Sequence, residues 1–344
     1  MRRLAALLAL LLVAAGATVA GGWVWLEHYL DRPLAVEAPK VVEVGSGQSL
    51  SAVAAMLAQE AGLAHPRVLA RWGRWQGADQ RLQAGEYLLE PGMTPRGFLE
   101  RVVQGRVILH QLTVVEGWRF QDMLAALRAH DAVRSSGLDG ESLMAALGES
   151  DQHPEGLFFP DTFRFARGTT DIEILRRARG LMRRHLDEIW AARQPDLPFD
   201  TPYEALILAS IIEKETGLDE ERERIAGVFV RRLQLGMRLQ TDPTVIYGLG
   251  EDFTDRLRRA DLQRDTPYNT YTRHGLPPTP IALPGRRSLE AAVNPADGEE
   301  LFFVASGLGD GSHVFSVTLE EHNRAVARYL QRLRERRAAA EEAS

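Results

Sequence analysis

The sequence predicts an α+β protein: a single N-terminal transmembrane helix, a small α/β module, and a larger domain of mixed strands and helices. Three observations predict it. Leu4 to Leu26 contains no charged residue. Beyond it, short strand-like runs and amphipathic helices follow one another without the regular alternation of a doubly wound sheet. Near the C-terminus, two alternating runs flank a glycine-rich loop, which is the pattern of a hairpin. The chain has 344 residues, enough for two domains with cores of their own.

Arg2 and Arg3 precede 23 uncharged residues, and a bilayer needs about 20. Trp23 and Trp25 sit where an interfacial aromatic belt would lie. Arginines before the stretch and Glu27 after it favour a cytoplasmic N-terminus and an external body. Ala15, Gly16, Ala17 and Ala20 would permit cleavage as a signal peptide, but such peptides usually have an apolar core of only about 7–15 residues. Residues 1–28 are therefore read as cytoplasmic N-terminus and anchor. Residues 29–40, which include Pro33 and Pro39, read as a linker.

The module follows at 41–108. Val41–Val44 is strand-like, and Ser49 can cap a helix with Leu50, Val53, Ala54 and Leu57 on one face. A second helix runs near Val68–Trp75, Gly85–Leu89 returns as a strand, and Thr94-Pro95 opens another helix. The strand, glycine and helix of EVGSGQSLSAVAAML recur in layout at Leu112–Val115, Gly117 and Phe120–Leu127. One such pair is a reused unit, too few for a solenoid.

The larger domain spans 109–335, with a charged tail at 336–344. Its elements are an aromatic-rich segment at Glu155–Gly168, an amphipathic helix at about Asp171–Arg193, and a helix opened by Thr201-Pro202. Strands at Leu301–Ser306 and Ser312–Thr318 then surround Gly307–Gly311, and a charged helix begins at Leu319. Those glycines lack the strand–turn–helix context of a phosphate cradle.

A net charge of −6 gives no whole-chain attraction to nucleic acid. The basic run from Arg176 to Arg184 reads as a solvated helix face. With no cysteine there is neither a disulfide nor a thiolate zinc site. No His/acid spacing suggests a metal, and no cofactor is expected.

LILASIIEKETG, Leu206–Gly217, is the informative stretch. Thr201, Pro202 and Glu204 form a capping box, and Gly217 is the expected stop. At roughly 100° per residue, Glu213 and Glu215 diverge by about 160°. Glu213 shares its face with Leu206, Ala209 and Ser210, and Lys214 lies between the two acids. Small neighbours leave room for a ligand, and apolar ones would favour a neutral carboxyl suited to acid catalysis. The alternative is a Glu213 that merely reaches water or an arginine. The loops QTDPTVIYGLG (240–250) and DTPYNTYTRHGLPPTPIALPG (265–285) combine hydroxyls, amides, tyrosine and proline, a composition suited to a carbohydrate.

Together LASIIEKET (208–216), VFVRRLQLGMRLQTDPTVIYGLG (228–250), TPYNTYTRHGLPPTPIALPG (266–285) and HVFSVTLEEHN (313–323) resemble the endolytic murein transglycosylase, or YceG-like, family. EGLFFPDTFRF (155–165) and GEYLLEPGM (85–93) also fit. The resemblance implies a single-pass inner-membrane protein with a periplasmic body and a LysM-like module at 41–108. It implies cleavage of the β-1,4 bond between N-acetylmuramic acid and N-acetylglucosamine in nascent strands. The product would carry a 1,6-anhydro end that terminates elongation. The first glutamate of EKET is the family's catalytic residue, which maps to Glu213. The partners implied are glycan strands, the membrane and peptidoglycan synthases. On this reading Gln240, Asp242 and Thr244 hydrogen-bond sugar or N-acetyl groups, and Tyr268, Asn269 and Tyr271 line the cleft. Ser210, Lys214 and Glu215 support Glu213; His274 and Thr279 receive no role. Two alternatives stand beside this one: a hydrolase of the same bond with Asp242 activating water, and a non-enzymatic membrane-anchored scaffold.

Overall fold

The structure is a computed structural model and describes residues 2–342. It is mixed α+β and divides into two compact units: residues 1–110 with 164–169, and 111–163 with 170–344.

The first unit begins with helix α1, Arg2–Asp31, the only described helix long and apolar enough to cross a membrane. Strands β1 (Lys40–Val44) and β2 (Gly85–Leu89) pair antiparallel, with Val42 opposite Tyr87 and Val44 opposite Gly85. Between them lie helices α2 (Leu50–Ala61) and α3 (Pro66–Trp75), and α4 (Pro95–Val103) follows. The two-residue period turns Val42, Val44, Tyr87 and Leu89 inward, where they meet Val53, Leu57 and Phe98 in one core. Ser49 and Thr94 cap α2 and α4. Gly73 lets α3 approach this core closely, since a Cβ there would lie 2.6 Å from Leu50 and 2.9 Å from Leu99.

Residues 29–40 are not a free tether. Tyr29, Leu30, Leu34 and Val36 are buried in the core. Leu34 N–H donates to Met93 O and Ala35 N–H to Ala61 O. Prolines and missing periodicity signalled irregular backbone, and irregular backbone can still be packed.

The chain continues through β3 (Leu109–Thr113), α5 (Phe120–Ala129), α6 (Gly140–Leu147) and β4 (Thr162–Ala166), with β3 beside β4. The strand expected at Leu112–Val115 lies earlier, because Val114 leaves it to be buried, its N–H bonded to Asp161 O. The recurring unit keeps its strand, glycine and helix layout. Gly47 and Gly117 both adopt left-handed φ, 75° and 78°, between strand and helix.

In the second unit α7 (Asp171–Ala191), α8 (Pro202–Glu215), α9 (Asp219–Gln234) and α12 (Arg286–Val293) pack together. Every residue of α8 from Ala205 to Ile212 is buried, so this helix is the centre of the domain. The capping box at Thr201 and Glu204 is present. Its end differs from expectation. Thr216, extended at φ −143°, stops the helix and accepts the Leu218 N–H, without a left-handed Gly217. The short helix α10 (Asp242–Leu249) occupies a stretch read as a loop, and α11 (Arg259–Gln263) lies between the two loops. Strands β5 (Phe302–Ala305) and β6 (His313–Ser316) form the expected antiparallel hairpin. Helix α13 runs from Leu319 to Glu342. The charged tail expected at 336–344 continues this helix, except that Ala343 and Ser344 lie outside the described residues.

Candidate active site

One face of α8 organises the site. Ser210, Glu213 and Lys214 lie at i, i+3 and i+4 and so share that face. Ser210 accepts the Ile281 N–H at 3.0 Å while donating to Ile207 O within its own helix. Glu213 Oε2 accepts the Gly285 N–H at 3.0 Å and the Ser288 hydroxyl at 2.7 Å. Lys214 Nζ donates to Gly117 O at 3.1 Å. A hydroxyl, a carboxylate and an ammonium thus hold two chain segments distant in sequence against one helix.

Those segments are stitched to each other. Gly117 N–H donates to Leu283 O at 2.9 Å, and Leu283 N–H to Trp118 O at 2.7 Å. The result brings Glu116 to Gly285, where a Cβ would collide with the Glu116 carboxyl. Two carboxyls therefore meet at one glycine. Burial pushes the Glu116 carboxyl above its ordinary range, and the negative charge of Glu213 adds to this against the opposing field of Arg222. Arg222 is almost fully buried, with its guanidinium 3.7 Å from Glu213 Oε1. It also donates to Ser288 Oγ at 3.2 Å and pairs with Asp219. The expected apolar surroundings of Glu213 are thus corrected: its carboxylate meets an N–H, a hydroxyl and a guanidinium.

Gly285 itself has φ −78°, open to any residue. Gly285→Ala should therefore fold, displace Glu116, and lower kcat about tenfold, a loss of about 1.4 kcal/mol in transition-state stabilisation. Comparing kcat with Tm checks this; a change in Tm without one in kcat would argue the reverse.

Glu215 faces elsewhere. It accepts a hydrogen bond from Thr241 Oγ1 and lines a cavity of about 450 Å³ with Arg232, Gln240, Asp242, Tyr271 and His322. Asp242 Oδ1 accepts the Tyr271 hydroxyl at 2.6 Å. Three of the six predicted substrate contacts, Gln240, Asp242 and Tyr271, therefore cluster beside Glu215.

The other three divide. Tyr268 is half-buried, its hydroxyl on Thr279 and its ring edge-on to Tyr247. Thr244 and Asn269 are fully buried, which corrects their reading as ligand contacts. Thr244 bonds Thr241 O and Thr270. Asn269 Nδ2 donates to Leu262 O and Arg264 O, and its Oδ1 accepts the Tyr271 N–H. Short polar residues pinning a turn and short polar residues binding a sugar have the same composition, so composition could not separate them.

Glu116, Arg222, Gly285 and Ser288 were missed. Arg222 alone carried a signal: on α9 it shares a helical face with Ile225, Ala226 and Phe229, and an arginine on an apolar face needs a buried partner. The other three become neighbours only through the backbone ladder between 117–118 and 283.

Two further buried acids set a pH dependence. Burial raises Glu155, which accepts the Phe120 N–H, and Glu215 each to about 7. Their unfolded values are near 4.5. Between these limits the folded state holds protons that the unfolded state has lost, so stability is greatest below the unfolded value and falls as pH rises toward 7. Glu155→Gln should flatten that decline, by on the order of 1–3 kcal/mol at pH 7; urea melts at pH 5 and pH 7 measure it.

Residues 42–328 match the sequence model of the YceG-like family. The endolytic murein transglycosylase of Bacillus subtilis (strain 168) is 32% identical over 308 residues, covering 84% of each chain. That of Streptococcus pneumoniae serotype 2 (strain D39) is 26% identical over 90% of this chain, which spans 63% of the pneumococcal protein's length. The crystal structure of a YceG-like protein from Listeria monocytogenes superposes with a TM-score of 0.50 at 30% identity, covering 84% of this chain and 99% of that one. This protein belongs to the YceG-like family.

Proposed function

We propose that this protein is an endolytic peptidoglycan lytic transglycosylase held by α1 in the bacterial inner membrane, with a cytoplasmic N-terminus and a periplasmic body. The observation that carries the proposal is the carboxyl pair at Gly285, in a chain whose relatives bear the name endolytic murein transglycosylase. The module at 41–108 is read as LysM-like; its strand, two helices and returning strand support that reading.

Glu213 protonates the oxygen between N-acetylmuramic acid and N-acetylglucosamine as the bond from C1 breaks. The resulting carboxylate takes the proton of the muramic C6 hydroxyl, whose oxygen bonds to C1. The 1,6-anhydro end forms, Glu213 regains its proton, and the strand can no longer be extended from that end. Glu116, its carboxyl raised by burial and by the charge of Glu213, stands beside Gly285 as a second acid of the site. Ser288 and Arg222 fix the Glu213 rotamer. Gln240, Asp242 and Tyr271 hold sugar or N-acetyl groups in the cavity beside Glu215, and a synthase supplies the nascent strand.

A second reading is favoured by Glu116. Paired carboxyls can hydrolyse a glycosidic bond with one of them activating water. Asp242 no longer suits that role, since it lies with Glu215 and bonds Tyr271. Mass spectrometry of digested peptidoglycan separates the readings: anhydro ends support the transglycosylase, and reducing muramic ends overturn it.

A further inference from the structure

We propose that α3 is a membrane-surface helix, its tryptophan end seated in the bilayer interface and its arginines on anionic phospholipid headgroups. The inference rests on the reading of α1 as the membrane anchor.

The end of α1 is locked to the module. Arg96 on α4 pairs with Glu27 and, at 2.8 Å, with Asp31. Tyr29 donates to His65 O at 2.8 Å, and Leu30 is completely buried. A helix fastened at four points cannot swivel, so wherever α1 ends, the module must sit.

Along α1 the contacts with α3 descend. His65, just before α3, lies against Trp25 and Tyr29, with ring centroids 5.8 and 6.0 Å apart. Trp75, the last residue of α3, lies edge-on to Trp23 at 6.3 Å. Trp23 belongs to the uncharged stretch that ends at Leu26. The Trp75 ring is thereby held at the depth of the last apolar turn of the anchor, yet it is 70% exposed. An indole at that depth with no protein covering it meets the headgroup region, which tryptophan favours.

The charges agree. Arg67, Arg71 and Arg74 fall at i, i+4 and i+7 and share one exposed face beside Trp75. No carboxylate lies on α3, and neither Arg67 nor Arg71 has an ion-pair partner among the described residues. Exposed arginines at a membrane surface pair with lipid phosphates.

The chain lacks cysteine, so single spin labels can be placed on the full-length protein in phosphatidylglycerol-containing nanodiscs. Labels at Trp75→Cys and Val13→Cys are compared for accessibility to oxygen and to a water-soluble nickel chelate. The expected result favours oxygen at both sites, more strongly at Val13→Cys. Nickel access at Val13→Cys would overturn the anchor reading. Oxygen preference at Val13→Cys with water-like access at Trp75→Cys would overturn the α3 proposal alone. Changing Arg67, Arg71 and Arg74 to Gln should shift the Trp75→Cys label toward water; an unchanged depth would overturn the assignment of the arginines to headgroups.

Discussion

Glu213→Gln is expected to lower glycan-strand cleavage by about 10²–10⁴-fold, the contribution of a positioned acid–base group. The substitution keeps the side chain's size, and the amide oxygen can still accept from Gly285 and Ser288, so the fold should persist. What disappears is the transferable proton. Product analysis of purified peptidoglycan incubated with wild type and variant is the measurement, with Tm recorded alongside. Undiminished cleavage by a folded variant would remove Glu213 from the mechanism and leave the scaffold reading in its place. Glu215→Gln is the internal comparison. Its acid bonds Thr241 and not the Glu213 cluster, so the variant should retain bond cleavage while changing KM through the cavity it lines.

Glu116→Gln is expected to cost about 10²-fold in kcat and to move the alkaline limb of the pH–rate profile to lower pH. The direction follows from charge. The Glu116 carboxyl is raised first by burial and then by the charge of Glu213. With an amide there, the raised carboxyl no longer keeps a proton at the site above the ordinary carboxylate range, so the protonated form of the site is lost at lower pH. A bystander would leave the profile in place. Glu116→Asp separates presence from placement: it restores the charge but withdraws it from Gly285, and should recover the shape of the profile more than its height.

Much of the fold was legible in sequence because its elements carry their own punctuation. Ser49, Thr94 and Thr201 mark helix starts that the structure reproduces. The six apolar residues around Ser210 in LILASII suit the buried helix that the structure shows, and the divergence of Glu213 from Glu215 followed from helical geometry alone. What stayed hidden depended on tertiary proximity. Thr244 and Asn269 look like sugar ligands until their bonds to neighbouring backbone are seen. Glu116 looks like a surface acid after a strand until two hydrogen bonds place its turn against Leu283. The α10 helix was obscured by proline, threonine and glycine, yet proline at the first turn costs a helix nothing.

The ladder between Gly117, Trp118 and Leu283 has a further consequence for the living cell. Neither acid is complete within its own stretch of chain: one waits for a turn made early in synthesis, the other for donors at Gly285 and Ser288 that emerge late. A ribosome that stalls before Gly285 leaves a polypeptide with both glutamates and without the groups that bring them together. On the proposed function, an enzyme with this wiring stays inactive until the stretch from Gly285 onward has been built and docked.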